Sequence, residues 1–351
     1  MGGVKETIKF PYPAFYFKNN SLFLLDQTKL PQEINYLEIK DLSDLIKVIK
    51  ELKVRGAPLI GVVAGYGVYL LSQKIEENLK ETLLSAIFQL KNTRPTAKNL
   101  FYVLDSLEEI IKKEKDPQKI KEKIKKKVFY FHKKEIDNCL KIAKYGDRLI
   151  PKKAKILTIC NTGHLATGGL GTALGIIFYS AKKGKKITCY ICETRPLFQG
   201  ARLTTFEILN SSLKNIKPIL ITDNMVGSIM KDMDLVLVGA DRVALNGDTA
   251  NKIGTKTLAI CAKYYKKPFY VACPTSTIDR NIKSGKEIKI EERDKEEIIK
   301  IKDYYLAPKE IECYNPAFDI TENKLITAII TEKGIIYPPF KKGLLKIFDI
   351  I

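Results

Sequence analysis

In the second half of the chain, five apolar segments alternate with segments of helical periodicity, and no other feature constrains the fold as strongly. The apolar segments read KAKILTIC, KKITCYICE, KPILIT, MDLVLVGAD and KPFYVACP. Helices are predicted between them around 166–182, near 200–211, in a short stretch from Asp223, and over TANKIGTKTLAICAKYY. This alternation predicts a parallel sheet with helices on both faces. Because ligands in such sheets bind beyond the carboxyl ends of the strands, the strand-end residues are the first candidates for a site: Cys160, Glu193, Asp223, Asp241 and Pro274.

The first half of the chain has a different pattern. Short strand-like runs around a turn occupy residues 21–38, and four helical segments follow, which read DLSDLIKVIKEL, PLIGVVAGYGVYLLSQ, TAKNLFYVLDSLEEIIKK and QKIKEKIKKKVFYFHKKEIDNCLKIAKYGDRL. The second of these is apolar on all sides, which indicates a buried helix with Pro58 in its first turn. We therefore predict an α/β protein with two domains, a smaller, mainly helical N-terminal domain with short β elements (1–148) and a Rossmann-like α/β catalytic domain (149–351).

Charge and cysteine content narrow the classes of partner. The 351 residues carry a formal net charge of +20, which attracts anionic ligands. Much of the excess lies in the Lys-rich segment 112–127, where aromatic residues and Arg are nearly absent, so a solvated helix face is favoured over a nucleic-acid surface. The odd number of scattered cysteines and the lack of an apolar run of membrane-spanning length favour a cytoplasmic protein with no membrane partner.

The loop NTGHLATGG, which follows the strand ending at Cys160, raises the question of which ligand it holds. Gly169 and Gly171 suggest a dinucleotide fingerprint, but they follow the strand too late, and Leu174 stands where that fingerprint needs Gly or Ala. No Gly-Lys-Ser/Thr follows, which excludes a P-loop. The loop suits a small anion, and a thiol at its root would feel positive potential and could be activated. The alternative is that Cys160 is an ordinary buried cysteine.

Asp241 is the second chemical candidate. A carboxyl group that leaves a strongly apolar strand loses hydration, so its pKa should rise and it should act as a proton donor at neutral pH. The alternative is a structural aspartate that caps a turn or pairs with Arg242. Asn251 and Lys252 lie at the predicted start of the next helix, where a lysine is unfavourable for the helix dipole unless an anion is bound there.

Two arginines lie beside Gly and Pro at the ends of elements. Arg55 precedes Gly56 and Ala57, which are small enough for a ligand to approach the backbone, and Arg94 stands before a proline. Such arginines suit bidentate recognition of an oxyanion, although each could instead tie loops together. The lone CYIC motif lies within a strand, and the chain has only two histidines. We therefore expect neither a metal site nor a cofactor.

Seven motifs taken as a set resemble the methylthioribose-1-phosphate isomerases, relatives of the translation initiation factor 2B regulatory subunits. They are RGAPLIG, TRPTAKNL, ICNTGHLAT, ETRPLFQGARLT, ITDN, GADRVALNGDTANKIGT and NPAFDITENKLITAIITEKG. The resemblance covers nearly the whole chain and implies a cofactor-independent isomerase of methionine salvage and a homodimer. It places the active-site cysteine at Cys160 and the catalytic aspartate at Asp241. The substrate-binding positions that it implies are Arg55, Gly56, Ala57, Arg94, Gln199, Asn251 and Lys252.

The resemblance leaves alternatives open. Thr162, His164 and the glycine pair 168–169 depart from the usual family pattern and affect the loop that would hold the tail of the substrate. The substrate could be 5-deoxyribose 1-phosphate or ribose 1,5-bisphosphate, although the element LLDQTKLP favours the methylthioribose branch. A non-catalytic regulatory subunit would not need both Cys160 and Asp241. If the chain is an isomerase, Asp241 would protonate the ring oxygen, and Cys160 would either relay a proton or stabilise a hydride shift.

Overall fold

A computed structural model describes residue 8, residues 10–94 and residues 97–348 of the chain. Its first part contains three strands and five helices in chain order, which are β1 (Phe15–Lys18), β2 (Ser21–Leu25), β3 (Tyr36–Ile39), α1 (Leu42–Lys50), α2 (Ala57–Lys74), α3 (Leu79–Lys91), α4 (Lys98–Lys113) and α5 (Pro117–Asp147). The strands form an antiparallel sheet in the order β1-β2-β3. The four predicted helices are confirmed, while the predicted start of α4 at Thr96 lies outside the described residues.

Local sequence explains where α5 begins. The carboxylate of Asp116 accepts hydrogen bonds from the backbone N–H groups of Gln118 (2.8 Å) and Lys119 (3.2 Å), and Pro117 occupies the first turn of α5. Helix α3 is not among the predicted helices. It begins after Asn78, which has left-handed backbone angles and makes no side-chain cap, so the usual signal of a helix start is missing.

The second part of the chain contains the remaining elements. Its strands are β4 (Lys153–Thr158), β5 (Lys186–Cys192), β6 (Ile216–Ile221), β7 (Leu235–Val238), β8 (Arg242–Ala244), β9 (Thr249–Lys252), β10 (Phe269–Ala272), β11 (Ile278–Asp279), β12 (Lys300–Ile301), β13 (Tyr304–Tyr305), β14 (Phe318–Thr321), β15 (Ala328–Thr331) and β16 (Gly334–Ile336). Its helices are α6 (His164–Thr167), α7 (Ala173–Lys182), α8 (Thr205–Leu209), α9 (Val226–Ile229), α10 (Thr255–Tyr264), α11 (Glu296–Ile299) and α12 (Phe340–Lys346).

A seven-stranded sheet in the order β16-β15-β10-β7-β4-β5-β6 organises this part of the chain. Its strand pairs are parallel except for β15 with β16. The five predicted strands are confirmed as β4, β5, β6, β7 and β10. From β4 the chain steps outward to β5 and β6, whereas from β7 it steps outward in the opposite direction. The strand order therefore reverses between β4 and β7, and a crevice is expected beyond their carboxyl ends.

Two predicted helices differ from the structure. The segment predicted as a helix over 166–182 is divided into α6 and α7, because Gly168 and Gly171 adopt positive φ angles of 75° and 101° between them. The segment near 200–211 begins with a π-helical turn at Gly200–Thr204 and continues as α8.

A third prediction is wrong, since Asn251 and Lys252 do not lie at a helix start. They are the last two residues of β9, which pairs with β8 and with β14 in a small four-stranded sheet. Gly254, with a φ angle of 100°, follows the strand, and α10 begins at Thr255. The argument from the helix dipole therefore does not apply to Lys252.

Hydrophobic residues form separate clusters. One cluster contains residues of β1–β3 and α1–α5, together with Leu165, Leu203 and Phe206. Two others cover the faces of the seven-stranded sheet. No helix in the described part of the chain is long and apolar enough to cross a membrane.

Candidate active site

A cleft lies where the strand order of the large sheet reverses, with a cavity volume of about 100 Å³. All nine residues proposed from the sequence line it, namely Arg55, Gly56, Ala57, Arg94, Cys160, Gln199, Asp241, Asn251 and Lys252. They come from the start of α2, the loops after β4, β5 and β7, the end of β9 and the segment before α4. An adjoining groove of about 400 Å³ shares Arg55, Gln199 and Arg293 with the cleft.

Cys160 follows β4 by two residues and has a φ angle of 63°, which is uncommon for a residue with a side chain. Its backbone N–H donates a hydrogen bond to Thr194 Oγ1 (2.8 Å), and its carbonyl oxygen accepts one from Thr204 Oγ1 (2.7 Å). These two bonds hold the residue in its strained conformation. Cys160 lines the cleft and is half-buried, which distinguishes it from the fully buried core thiols, Cys139, Cys189, Cys192 and Cys273.

The electrostatic surroundings of Cys160 contradict the expectation of an activated thiolate. Burial raises the pKa of the Cys160 thiol, and the nearby Asp241 carboxyl also raises it. Arg55 and Lys252 oppose this shift without reversing it. The sulfur is therefore a neutral thiol at neutral pH, because the loss of hydration outweighs the positive potential that the loop was expected to supply.

Asp241 is the third residue after the end of β7, and its backbone N–H donates a hydrogen bond to the Ala250 carbonyl oxygen (2.9 Å). Burial raises the pKa of the Asp241 carboxyl above its usual value, as the apolar strand predicts. Arg94, Lys252 and Arg55 counteract the shift. Asp241 therefore combines a desolvated carboxyl group with three neighbouring cations.

Three of the nine proposed residues are cations, and protein groups hold two of them in place. The guanidinium group of Arg55 donates to Gln27 Oε1 (3.1 Å), to the Asn161 carbonyl oxygen (3.1 Å) and to Asn161 Oδ1. Lys252 Nζ donates to the Ala317 carbonyl oxygen (3.3 Å), and burial lowers the pKa of its ammonium group. Such desolvated cations attract a bound anion strongly, since the local dielectric is low.

The other proposed residues contribute either polar side-chain atoms or a closely packed backbone to the cleft. Arg94 Nε and Gln199 Oε1 are buried without a hydrogen-bond partner among the described residues, and both residues line the cleft. Each therefore has capacity to bind a ligand. Asn251 Nδ2 donates to Thr255 Oγ1 (3.0 Å). Gly56 has a φ angle of 90°, and a Cβ atom at this position would clash with the backbone of Ala166.

Comparison with known proteins identifies the family. A model of the Initiation factor 2 subunit family matches residues 53–338. The methylthioribose-1-phosphate isomerase of Carboxydothermus hydrogenoformans is 47% identical over 341 residues, which cover 95% of this chain and 98% of the relative. The chain belongs to the methylthioribose-1-phosphate isomerase family. As a member of this family, it is an isomerase.

Solved structures agree with this assignment. The 5-methylthioribose 1-phosphate isomerase of Pyrococcus horikoshii OT3 aligns with a TM-score of 0.89 and 37% identity, and the alignment covers 100% of both chains. The translation initiation factor eIF-2B subunit delta from A. fulgidus aligns with a TM-score of 0.84 and 38% identity, covering 96% of this chain and 99% of that one. The methylthioribose-1-phosphate isomerase fold is thus a mixed α/β fold that it shares with initiation-factor subunits.

Sequence reasoning missed two features of this isomerase-family cleft. Arg293 lines the cleft, and its guanidinium group is held by Glu291 (2.7 Å) and Glu297 (2.5 Å). It lies in the segment EERDKEE, whose dense charge is typical of a solvated surface, so no local signal marks it.

The second missed feature is a buried polar network behind Cys160. Glu207, which is 1% exposed, accepts hydrogen bonds from Asn161 Nδ2 (2.7 Å) and from the backbone N–H of His164 (2.8 Å). His164 Nδ1 also lies 2.6 Å from Glu207 Oε2. Because Asn161 contacts Arg55, the network connects the loop of Cys160 to the guanidinium group of Arg55.

Among the described residues, no group of three or more His, Cys, Asp or Glu side chains is arranged to hold a metal ion.

Proposed function

We propose that this isomerase converts 5-methylthioribose 1-phosphate to 5-methylthioribulose 1-phosphate in methionine salvage. The observation that carries the proposal is that a desolvated Asp241, a neutral Cys160 thiol and the three cations that act on Asp241 line one small cleft. The names of the relatives from C. hydrogenoformans and Thermoanaerobacter support this substrate. Isomerases of 5-deoxyribose 1-phosphate or ribose 1,5-bisphosphate remain the alternatives within the same chemistry.

Asp241 serves as the acid. The phosphate at C1 blocks spontaneous ring opening of the furanose, so the ring oxygen must be protonated before its bond to C1 breaks. Three cations lower the pKa of Asp241 against the effect of burial. A bound phosphate group would offset their charge, and the pKa of Asp241 would then rise further. Substrate binding therefore stabilises the protonated form of Asp241, which the first step requires.

Cys160 contributes as a neutral thiol. Because the raised pKa keeps the Cys160 side chain protonated, little thiolate is available to remove the proton from C2. We infer that hydrogen moves from C2 to C1 as a hydride, while the polarisable sulfur stabilises the positive charge at C1 after ring opening. The Asp241 carboxylate then recovers a proton from the C2 hydroxyl group, which leaves the ketone and restores the acid.

The other lining residues orient the substrate. Arg55, Arg94 and Lys252 meet the charge of the phosphate group, and the backbone at Gly56 and Ala57 allows its close approach. Gln199 and Asn251 are suited to the sugar hydroxyl groups. A cleft of this size leaves little room for bulk water beside the reacting carbons, which protects the open-chain species.

Product analysis by nuclear magnetic resonance tests the proposal. The protein is incubated in turn with 5-methylthioribose 1-phosphate, 5-deoxyribose 1-phosphate and ribose 1,5-bisphosphate, and ketose formation is followed in deuterated water. We expect the largest kcat/KM for the methylthio substrate and no solvent deuterium at C1. A larger kcat/KM for one of the other two sugars would identify that sugar as the preferred substrate. Deuterium at C1 would indicate a proton relay.

A non-catalytic regulatory subunit is the second candidate, because the A. fulgidus eIF-2B subunit delta is 38% identical to this chain. This function predicts stable association with other subunits and no turnover of any sugar 1-phosphate. The presence of both Cys160 and Asp241 in the cleft favours the enzyme.

We further propose the division into a mainly helical domain (1–148) and a Rossmann-like catalytic domain (149–351). The separate hydrophobic clusters and the reversal of strand order between β4 and β7 support it. The homodimer is proposed from family resemblance, and light scattering of the purified protein tests it. The seven free cysteines support the expectation of a reducing, cytoplasmic environment.

A further inference from the structure

A second cavity, larger than the active-site cleft, has a volume of about 510 Å³. It lies between α2, α4, α5 and the segment that follows β10. Pro58 borders both the cavity and the cleft, but none of the nine residues proposed for substrate and catalysis lines the second cavity. A ligand bound there would therefore occupy a site distinct from that of the substrate.

Two buried polar side chains of α5 line this cavity. Glu135 and Asn138 are three residues apart on one helix face, and each is only 7% exposed. The amide of Asn138 makes no hydrogen bond with any residue that the structure describes. Within the described part of the chain, Glu135 accepts one weak hydrogen bond, from the Cys139 thiol (3.5 Å). Both side chains line the cavity, so their polar atoms can form hydrogen bonds with a bound ligand.

The protonation of Glu135 widens the range of possible partners. Burial raises the pKa of this carboxyl to about 7, and the negative charge of Glu332 adds to the shift, while the Cys139 hydrogen bond and Lys134 oppose it. At neutral pH the group is therefore present in both protonation states. It can donate a hydrogen bond to a ligand or accept one from it.

The rim of the cavity is basic. It includes three cations that make no salt bridge with a carboxylate of the described residues, Lys134, Arg280 and Lys333. The other lining charges are compensated, because Lys98 lies 3.4 Å from Asp279 and Asp105 lies 2.6 Å from Lys91. A cavity with uncompensated cations at its rim and free polar groups inside attracts an anion that also carries hydrogen-bonding groups.

We propose that this cavity binds a small hydroxylated organic anion. Arg280 and Lys333 bind the anionic group of this ligand, and the Glu135 and Asn138 side chains form hydrogen bonds with its hydroxyl groups. The recognised chemistry is a phosphate or carboxylate group attached to a polyol. It can come from a sugar phosphate or from a hydroxycarboxylic acid.

Isothermal titration calorimetry with the full chain tests this site. The probes are glucose 6-phosphate, citrate, inorganic phosphate and neutral glucose. They are titrated into the wild-type protein and into Asn138→Leu, Lys333→Ala and Lys263→Ala. Lys263 is an exposed lysine of α10 outside the cavity and is the matched control. Melting temperatures establish that each variant is folded, and Asn138→Leu is expected to match the wild type because it removes an unpaired amide.

We expect glucose 6-phosphate or citrate to bind the wild type. Asn138→Leu and Lys333→Ala should each weaken that binding about tenfold, while Lys263→Ala leaves it unchanged. Which of the two anions binds more tightly distinguishes a sugar phosphate from a hydroxycarboxylic acid. Absence of binding by both, equal binding in all variants, or binding of inorganic phosphate or glucose as tight as that of the organic anions would overturn the proposal.

Discussion

Replacement of Asp241 by Asn removes the proposed acid and keeps the size and shape of the side chain. General acid catalysis contributes about 10²–10⁴ in rate. The cleft offers poor substitutes, since Cys160 is a weak acid and the lining arginines do not release protons. Only Lys252, whose pKa burial lowers, can replace part of the function. We therefore expect kcat to fall by about three orders of magnitude, equivalent to about 4 kcal/mol of activation free energy.

The assay measures kcat and KM by nuclear magnetic resonance with 5-methylthioribose 1-phosphate. We expect KM to change little, because the three cations that would bind the phosphate remain. The matched control is Asp234→Asn, since Asp234 is an exposed carboxylate just before β7 that accepts a hydrogen bond from the Lys155 backbone N–H (2.7 Å). It should keep wild-type turnover. A kcat for Asp241→Asn within tenfold of the wild type would refute the assignment of the acid.

The stability of the same variant provides a further check. Because the pKa of Asp241 is raised in the folded state, ionisation of this carboxyl costs folding free energy, and the loss grows as pH rises through the folded pKa. Asn does not ionise. We therefore expect the melting temperature of Asp241→Asn to equal or exceed that of the wild type, and the difference to grow as pH rises from the unfolded-state pKa of about 4 to the folded pKa. A lower melting temperature would mean that Asp241 has a structural role.

Four other substitutions give distinct results. Cys160→Ser should reduce kcat at least about tenfold with little change in melting temperature. An unchanged kcat would mean that Cys160 has only a structural role. Arg94→Ala should mainly raise KM, and an unaltered KM would mean that Arg94 does not contact substrate. Gly56→Ala should lower the free energy of unfolding by about 1–3 kcal/mol, because the new Cβ atom would clash with the backbone of Ala166 at a positive φ angle. An unchanged free energy of unfolding in urea denaturation would contradict this packing. Glu207→Gln should cost about 1–3 kcal/mol at neutral pH, because the buried carboxylate accepts hydrogen bonds from Asn161 and His164. The cost should be smaller at acid pH, because the pKa of Glu207 is lowered in the folded state and the wild type loses this stability as pH falls; a pH-independent difference would mean that the charge of Glu207 does not contribute.

Five of the seven strands of the large sheet could be predicted because they carry a local signal, whereas β15 and β16 are not among the predicted strands. Each of β4, β5, β6, β7 and β10 is an apolar run between helical segments, so its state does not depend on distant partners. Strand β9 has no such signal. The residues TANK form a strand because they pair with β8 across a tight turn and with β14, which lies more than sixty residues further along the chain. Tertiary pairing overrides local preference there.

The members of the candidate site could be predicted where glycine, proline or a strand end marks them, as at Arg55 and Asp241. Arg293 and Glu207 could not be predicted, because a charged stretch and a helical glutamate look like surface in the sequence. The direction of the pKa shift of Cys160 could not be predicted either. It depends on the balance of burial against two cations from distant segments, and only the folded structure sets that balance.

Infrared difference spectroscopy tests the protonation of Asp241 most directly. Spectra of the wild type and of Asp241→Asn are subtracted across a pH series, with and without bound inorganic phosphate. We predict a protonated-carboxyl band in the wild type at neutral pH that strengthens when phosphate binds and disappears only as pH is raised. A carboxylate band alone at neutral pH in both conditions would contradict the account.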